Sequence, residues 1–245
     1  MSKLFKVGGC VRDKFLGLNS KDIDFTFVSD NTDQTVGEGF KEMEQFLSDN
    51  NFEVFLSTPD CFTIRAKFPK GDKNEGLVAD FVMARKEVGY IPNTRRPILE
   101  LGTLEDDLIR RDFTVNALAE DEDGNLIDLF GGMQALSNKI LITPQPPQIT
   151  MLEDPLRVLR AMRFSITKGF KIDFELQNSM VEKEVINKMA SVVSKERIRE
   201  ELEKMFQSDT IGSLNLLSKF NRETNGRLFN ILFSGNLRLT PTMKL

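Results

Sequence analysis

The first 142 residues alternate between the two-residue hydrophobic period of strands and the longer period of helices, which predicts a mixed α/β unit. Strands are predicted over residues 4–7, 21–28, 52–57, 61–68 and 77–84, followed by a hairpin over 121–130. Helices are predicted over residues 11–16, 38–47 and 104–119. Residues 86–103 contain two glycines and two prolines and are predicted to form a long connection, which in a compact domain usually has a functional role.

A proline-rich stretch over residues 144–147 marks a predicted boundary, and the pattern beyond it is helical. Helices are predicted over residues 152–168, 173–190, 194–207 and 209–220. The last 25 residues are polar and are expected to be loosely ordered. The fold class is therefore α+β: a mixed sheet with helices over residues 1–142, an all-helical unit over 143–220 and a short C-terminal segment over 221–245.

Asp22 and Asp24 lie one residue apart in the strand predicted over 21–28. Because side chains at positions i and i+2 of a strand point to the same face, the two carboxylates lie side by side, opposite an apolar face. They repel each other unless a cation lies between them. Mg²⁺ binds one or two carboxylates together with substrate phosphates, so the pair predicts a magnesium site. The alternative is an edge strand with two solvated aspartates.

Gly8 and Gly9 form a predicted turn that allows backbone N–H groups to approach a phosphate closely. Together with the two aspartates, this turn predicts metal-assisted phosphoryl or nucleotidyl transfer. A third acid, Asp80, lies in an apolar strand, where a carboxylate is costly unless it faces water, a metal or a partner. Asp80 is therefore either a third catalytic carboxylate or the partner of Arg85 or another arginine in a structural ion pair.

Two groups of arginines follow further along the chain. Arg110 and Arg111 are adjacent and fit either a bidentate clamp on a triphosphate or RNA backbone, or an ordinary solvated helix face. Four charged residues then recur every three positions on one face of a helix that is predicted to begin near Pro155: Asp154, Arg157, Arg160 and Arg163.

Asp154 beside Arg157 offers a hydrogen-bond acceptor next to a donor. Adenine and cytosine present the complementary donor and acceptor on their base-pairing edges, whereas guanine and uracil present the reverse order. The pair is therefore predicted either to accept A and C and reject G and U, or to form a weak salt bridge on the helix face. The segment 194–202 is predicted to support, through ion pairs, the helix that carries Arg157, Arg160 and Arg163, called here the arginine helix.

The chain of 245 residues has no histidine, which excludes Ser-His and Cys-His catalysis, imidazole general bases and histidine metal sites. Its two cysteines, Cys10 and Cys61, are expected to be reduced thiols. The formal net charge of −4 gives no global positive field, so an RNA site requires a local basic patch. No export signal or membrane span is evident, and a cytoplasmic location is expected.

Five ordered motifs within residues 4–205 resemble those of the class II tRNA nucleotidyltransferase and bacterial poly(A) polymerase family. They are Gly8-Gly9-x-Val11-Arg12-Asp13, Asp22-x-Asp24, Arg110-Arg111-Asp112-Phe113-Thr114, Glu153-Asp154-x-x-Arg157 and Glu196-Arg197-x-x-Glu200. The resemblance implies a polymerase-β-like nucleotidyltransferase head followed by an all-helical neck. Family members usually continue into larger helical body and tail domains, so the chain is expected to be a short form that lacks them.

The resemblance also implies roles for individual residues. Asp22 and Asp24 would hold two Mg²⁺ ions, one activating the RNA 3′-hydroxyl and the other steadying the triphosphate. Asp80 remains a further catalytic candidate from its place in the apolar strand alone. The residues implied to bind the nucleotide are Gly8, Gly9, Arg12, Arg111, Asp112, Asn116, Asp154, Arg157, Arg160 and Arg163. The connection over residues 86–103 would be the flexible element that helps to switch from C to A addition.

The expected function is template-independent addition of C and A to the 3′ end of tRNA from CTP and ATP, with release of pyrophosphate. A poly(A) or A-only polymerase of the same family is the first alternative. A non-catalytic nucleotide- or RNA-binding module and a nucleotidyltransferase that acts on a small molecule are the other two. The sequence makes no prediction of oligomeric state.

Overall fold

The computed structural model describes residues 2–20, 22–31, 33–90 and 97–233. These residues divide into two compact units between Met133 and Gln134. The domain boundary expected after residue 142 stays a prediction. Every helix in the described part of the chain is too short or too polar to span a bilayer.

The first unit is built on a mixed sheet. Its strands are β1 (Lys3–Val7), β2 (Ile23–Val28), β3 (Glu53–Thr58), β4 (Thr63–Lys67), β5 (Val78–Met83), β6 (Arg85–Tyr90), β7 (Pro97–Leu101), β8 (Leu118–Glu120) and β9 (Leu126–Asp128). Its helices are α1 (Gly9–Phe15), α2 (Val36–Asp49) and α3 (Leu104–Ile109), and α4 (Gly132–Ser137) spans the division. Seven strands form one sheet in the order β3-β4-β5-β2-β1-β8-β9, with β2 and β5 parallel, while β6 and β7 form a separate antiparallel pair.

The hydrophobic alternation in β2 sorts its side chains onto the two faces of the sheet as predicted. Ile23 and Phe27 are buried in the core, and the Phe25 ring stacks on Phe81 with their centroids 5.2 Å apart. Helix α2 contributes its apolar stripe to the same core cluster. The two aspartates of this strand region are thereby left on the opposite face.

The prediction of a long connection over residues 86–103 is wrong, because this segment forms the antiparallel strands β6 and β7. Leu99 and Leu101 alternate along β7 and pack against the core, a strand pattern that the neighbouring glycines and prolines obscure. Gly102 permits a close backbone contact, since a Cβ there would lie 2.8 Å from the backbone of Arg85. The implied flexible element therefore falls on a strand pair, and its residues 91–96 lie outside the described residues.

The helix predicted over residues 104–119 is also wrong beyond Ile109, where α3 ends. Local hydrogen bonds take the place of helical ones: the Asp112 carboxylate accepts the backbone N–H of Phe113 and the side-chain amide of Asn116, both at 2.8 Å. Phe113 is fully buried, and the chain continues through one 3₁₀ turn into β8, which pairs with β1.

The second unit is helical apart from the short parallel pair β10 (Ile140–Leu141) and β11 (Lys171–Ile172). Its further helices are α5 (Pro147–Glu153), α6 (Arg157–Lys168), α7 (Phe174–Met180), α8 (Lys183–Val192), α9 (Lys195–Ser208), α10 (Thr210–Glu223) and α11 (Arg227–Leu232). Helix α11 buries Leu228 and Leu232, which differs from the loose order expected for 221–245. Residues 234–245 lie outside the described residues.

Two helices predicted for this unit are each divided in the structure. The predicted helix 152–168 breaks between α5 and α6, because Pro155 lacks an N–H group and Asp154 is extended with φ of −135°. The predicted helix 173–190 consists of α7 and α8, separated by a short turn. The first of these breaks matters for function, since it places Asp154 at a helix boundary, in agreement with the helix start predicted near Pro155.

Candidate active site

Asp24 is the second residue of β2 and Asp22 lies just before the strand, and both are on the face opposite the core cluster of Ile23 and Phe27. The parallel pairing of β2 with β5 places Asp24 opposite Asp80. Burial raises the pKa of the Asp24 carboxyl, the Arg111 guanidinium lowers it in part, and the charges of Asp80 and Asp22 raise it further. The charged form of Asp24 is therefore unfavourable beside these acids, and a divalent cation at this point would relieve the repulsion.

The aspartate pair fits a cation that takes part of its coordination from a substrate. Among the residues that the structure describes, no three Asp, Glu, Cys or His side chains come together in a metal-binding group. Two carboxylates on one strand face, completed by water and phosphate oxygens, are the ligand set that Mg²⁺ commonly takes in phosphate-transferring enzymes. Asp22 and Asp24 are the residues that would hold such an ion.

Asp80 is engaged by an arginine on the neighbouring strand. Nε and Nη2 of Arg65 donate to the two carboxylate oxygens of Asp80 at 2.6 and 2.7 Å. The antiparallel register of β4 and β5 places these two residues opposite each other. The ion-pair alternative for Asp80 is therefore present, with Arg65 as the partner, whereas Arg85 donates to the carbonyl of Cys61.

Gly8 links β1 to α1 with φ of 78°, a left-handed conformation that glycine adopts without strain. A Cβ at this position would lie 2.6 Å from Nη1 of Arg111. A Cβ at Gly9 would make only ordinary contact, 3.5 Å from Nη2 of Arg12. The space beside Gly8 is thus taken by a guanidinium, and two residues that were singled out in separate motifs are in contact.

Arg12, Asp112 and Asn116 form one buried hydrogen-bonded network. The Arg12 guanidinium donates to Oδ1 of Asn116 and, from Nε at 2.8 Å, to Oδ1 of Asp13. The Asn116 amide donates in turn to Oδ1 of Asp112 at 2.8 Å. This chain of paired groups ties helix α1 to the turn after α3 and holds each member in a defined orientation.

Sequence reasoning assigns no role to Asp107, yet its carboxylate on α3 is buried, with the residue only 2% exposed. Nη2 of Arg111 donates to its Oδ2 at 2.7 Å, and Nη2 of Arg110 donates to its Oδ1 at 2.9 Å. Thr26 on β2 donates from Oγ1 to Oδ2 at 2.9 Å. The sequence does contain a signal for this contact. Asp107 lies three residues before Arg110 and four before Arg111, and residues at these spacings are neighbours on the surface of a helix.

Stability at low pH is expected to depend on Asp107. Burial raises the pKa of its carboxyl, but the Arg111 and Arg110 guanidiniums outweigh burial and lower the pKa from 3.8 to about 2. Because the folded-state pKa lies below the unfolded value, this group contributes stability above pH 3.8 that is lost as the pH falls through about 2. The contribution at neutral pH is about 2 kcal/mol.

Urea denaturation at neutral pH and near pH 2 measures this loss. The free energy of unfolding should fall less on acidification in Asp107→Asn than in the wild type, because the variant has no carboxylate to protonate at this position. Equal losses in the two proteins would contradict the assignment.

In the second unit, both carboxylate oxygens of Asp154 are engaged. Oδ1 accepts the backbone N–H of Leu156 at 3.1 Å, just before α6, and Oδ2 pairs with Nη2 of Arg197 at 2.7 Å. Arg157 pairs with Glu153 at 3.0 Å. Asp154 and Arg157 are therefore each anchored by a further charged residue.

Arg160 and Arg163 on α6 both face Glu201 on α9. Glu201 is 5% exposed, Nε of Arg163 donates to its Oε2, and Nη1 of Arg160 lies 3.8 Å from its Oε1. The prediction that the segment 194–202 supports the arginine helix through ion pairs is confirmed. The acid that does so is Glu201, which the motif pattern missed in favour of its neighbour Glu200.

Comparison with known proteins places these features in a family. Residues 4–142 match the family model of the Poly A polymerase head domain. The Multifunctional CCA protein of Actinobacillus pleuropneumoniae serotype 5b (strain L20) is 34% identical over 213 residues, which cover 84% of this chain and 46% of that protein. The CCA-adding enzyme of Bacillus stearothermophilus in complex with CTP superimposes with a TM-score of 0.72 at 25% identity, covering 94% of this chain and 50% of that one. A tRNA nucleotidyltransferase complexed with a primer tRNA and an incoming ATP analog gives a TM-score of 0.68 at 27% identity. The superposition covers 96% of this chain and 60% of that one.

The chain spans about half the length of the curated relatives it matches. The expected fold class, a nucleotidyltransferase head followed by helices, is confirmed by the solved structures. The family model covers more than half of the chain and contains the glycine turn, the aspartate pair and Arg111. The chain therefore belongs to the Poly A polymerase head domain family, whose members are metal-dependent nucleotidyltransferases.

Proposed function

We propose that this chain is an RNA nucleotidyltransferase that adds C and A to the 3′ end of tRNA, using CTP and ATP and releasing pyrophosphate. The observation that carries the proposal is the pair Asp22 and Asp24 on one face of the sheet, where burial raises the pKa of Asp24 and the nearby Arg111 guanidinium only partly offsets it. Relatives named as CCA-adding enzymes, including one in complex with CTP, support the choice of substrates.

In the first unit, the aspartate pair would hold Mg²⁺. When bound, this ion supplies acidity for the attacking 3′-hydroxyl and neutralises charge on the triphosphate and the departing pyrophosphate. Arg111, which contacts the Gly8 turn, binds a phosphate through its guanidinium. No imidazole base takes part, because the chain has no histidine.

The network of Arg12, Asp112 and Asn116 supports a role in binding the nucleotide, because its polar groups are held in fixed directions by one another. Gly8 gives room to the Arg111 guanidinium, and Gly9, where a Cβ would make only ordinary contact, allows a ligand to approach the backbone of the turn. A catalytic role for Asp80 stays a prediction, and its bidentate pair with Arg65 favours the ion-pair alternative.

In the second unit, Asp154 and Arg157 are assigned to reading the edge of the incoming base. Each carboxylate oxygen has two lone pairs, so the bond between Asp154 and Arg197 leaves an acceptor for the exocyclic amine of cytosine or adenine. Arg160 and Arg163 support this pair through Glu201, which holds both arginines against α9. Guanine and uracil carry a carbonyl oxygen where adenine and cytosine carry the amine. This oxygen would face the Asp154 carboxylate, and because both groups are acceptors the pair rejects these bases.

A poly(A) or A-only polymerase is the second candidate, because the matched family model is that of a poly A polymerase head. A non-catalytic module is disfavoured, since both aspartates of the pair are retained. A cytoplasmic location stays a prediction.

The two candidates are separated by incubating the purified protein with Mg²⁺, each labelled nucleotide in turn and in mixture, and tRNA transcripts that end before CCA, at C or at CC. Addition of two C and one A followed by a stop supports the proposal. Long A tails, or A alone on the CC-ended transcript, favour the second candidate. A transcript that already ends in CCA and a reaction without divalent metal are the controls, and no incorporation on any acceptor would contradict both candidates.

A further inference from the structure

A buried acid and a buried threonine hold the Arg111 guanidinium from one side. Nε and Nη2 of Arg111 both donate to Oδ2 of Asp107, at 3.2 and 2.7 Å. Thr26 Oγ1 donates to the same oxygen at 2.9 Å and lies 3.5 Å from Nη2 of Arg111. Thr26 is fully buried and Asp107 nearly so, which shields these bonds from water and makes them stronger than those of a surface ion pair.

Fixing this edge of the guanidinium also fixes the opposite edge, because the group is planar and its five N–H donors form a rigid fork. Nη1 of Arg111 is thereby directed to the Gly8 turn, where a Cβ would lie 2.6 Å away. Its contact with the Asn116 carbonyl is long, at 3.5 Å, so Nη1 keeps capacity to donate to a ligand beside the turn.

We propose that Asp107, assisted by Thr26, is the positioning residue that aims Arg111 at a phosphate of the incoming nucleotide beside the Gly8 turn. The inference rests on the proposed function, in which Arg111 binds that nucleotide. Asp107 and Thr26 do not touch the nucleotide themselves and act through Arg111. Loss of Asp107 therefore lowers nucleotide affinity while the aspartate pair that supports transfer stays in place.

The first test measures KM and kcat for CTP and ATP incorporation by Asp107→Asn, together with the Kd of each nucleotide by calorimetry. KM and Kd are expected to rise about tenfold, whereas kcat falls less than about threefold, because the lost interaction contributes to binding of the nucleotide. In an Arg111→Ala background the same substitution is expected to leave Kd unchanged within about twofold, because the residue through which it acts is absent.

Asp106→Asn is the matched control on the same helix. The Asp106 carboxylate accepts the backbone N–H of Thr103 at 2.8 Å and caps α3, so its loss lowers the Tm. Because the side-chain hydrogen bonds of Asp106 go to Thr103, the control is expected to leave KM and Kd unchanged. A purely structural role of Asp107 would give the same pattern as this control.

Asp107→Asn removes a buried charge between two arginines and therefore also lowers stability. A substitution of Thr26 changes no charge and supplies an independent test. Thr26→Val keeps the shape of the side chain but removes the hydroxyl donor, and is expected to raise Kd about threefold, with Thr26→Ser restoring it. An unchanged Kd in Thr26→Val would overturn the proposal, as would equal effects of Asp107→Asn with and without Arg111. Failure of the proposed function looks different, since the wild type would bind nucleotide and still extend no RNA.

Discussion

Asp24→Asn is expected to lower incorporation of CTP and ATP by about a thousandfold or more. Asparagine keeps the shape of the side chain but replaces a charged carboxylate with one neutral oxygen, so the pair with Asp22 would hold a divalent cation poorly. A thousandfold loss corresponds to about 4 kcal/mol of transition-state stabilisation, which is of the order that a metal-mediated contact to phosphate supplies.

The same substitution is expected to leave the Tm unchanged or to raise it. Burial and the neighbouring acids Asp80 and Asp22 raise the pKa of Asp24, so its charge destabilises the folded state at neutral pH and a neutral amide removes this cost. Single-turnover incorporation and thermal unfolding measure the two effects. Asp60→Asn, at an exposed acid of the same unit, is the control that should change neither. Activity of Asp24→Asn within about tenfold of the wild type would contradict its assigned role.

The strand that carries this pair could be predicted because its local pattern and its burial agree. Ile23, Phe25 and Phe27 alternate with polar residues, and the sheet buries that same face against α2. A strand that slipped by one residue would bring both aspartates into the core, so the pattern specifies the register strongly. The face of Asp22 and Asp24 follows from the sequence for this reason.

The region after α3 could not be predicted by the same reasoning. Its residues fit a helix by composition, but Asp112 bonds the N–H of Phe113 and the amide of Asn116, and the Phe113 side chain enters the core. Tertiary burial of one ring and a local polar network therefore override helix propensity. The strands β6 and β7 were missed for a related reason, because Leu99 and Leu101 gain their packing only from the assembled core.

The sequence predicts the arginines of the site but not Glu201 and Asp107, the two acids that bind them. Glu200 and Glu201 are adjacent, and only the second faces the arginines, because the buried stripe of Ile198, Leu202 and Met205 sets the rotation of α9. Asp107 gains its role from Thr26 on a strand 81 residues away in sequence, a contact that no local pattern contains. The motifs therefore predict the candidate site residues, whereas the acids that hold the arginines are identified only from the fold.

Asp154→Ala is expected to relax base choice more than it lowers the rate. Removal of the carboxylate takes away the acceptor that would select the exocyclic amine of cytosine and adenine, so discrimination against UTP and GTP should fall about a hundredfold. The rate with CTP and ATP should fall only about tenfold, since one hydrogen bond to the base is lost. The bond to the N–H of Leu156 and the pair with Arg197 are lost as well, which should lower stability by about 1 kcal/mol.

Competition between labelled nucleotides on C- and CC-ended tRNA, with thermal unfolding in parallel, separates these effects. Glu203→Ala, which removes an exposed acid paired with Arg199 on α9, is the matched control for loss of a surface ion pair and should leave base choice intact. If Asp154→Ala excludes UTP and GTP as fully as the wild type does, Asp154 is not what reads the base. Its carboxylate would then serve only to bind the N–H of Leu156 and Arg197, and selection would have to come from other groups that contact the nucleotide.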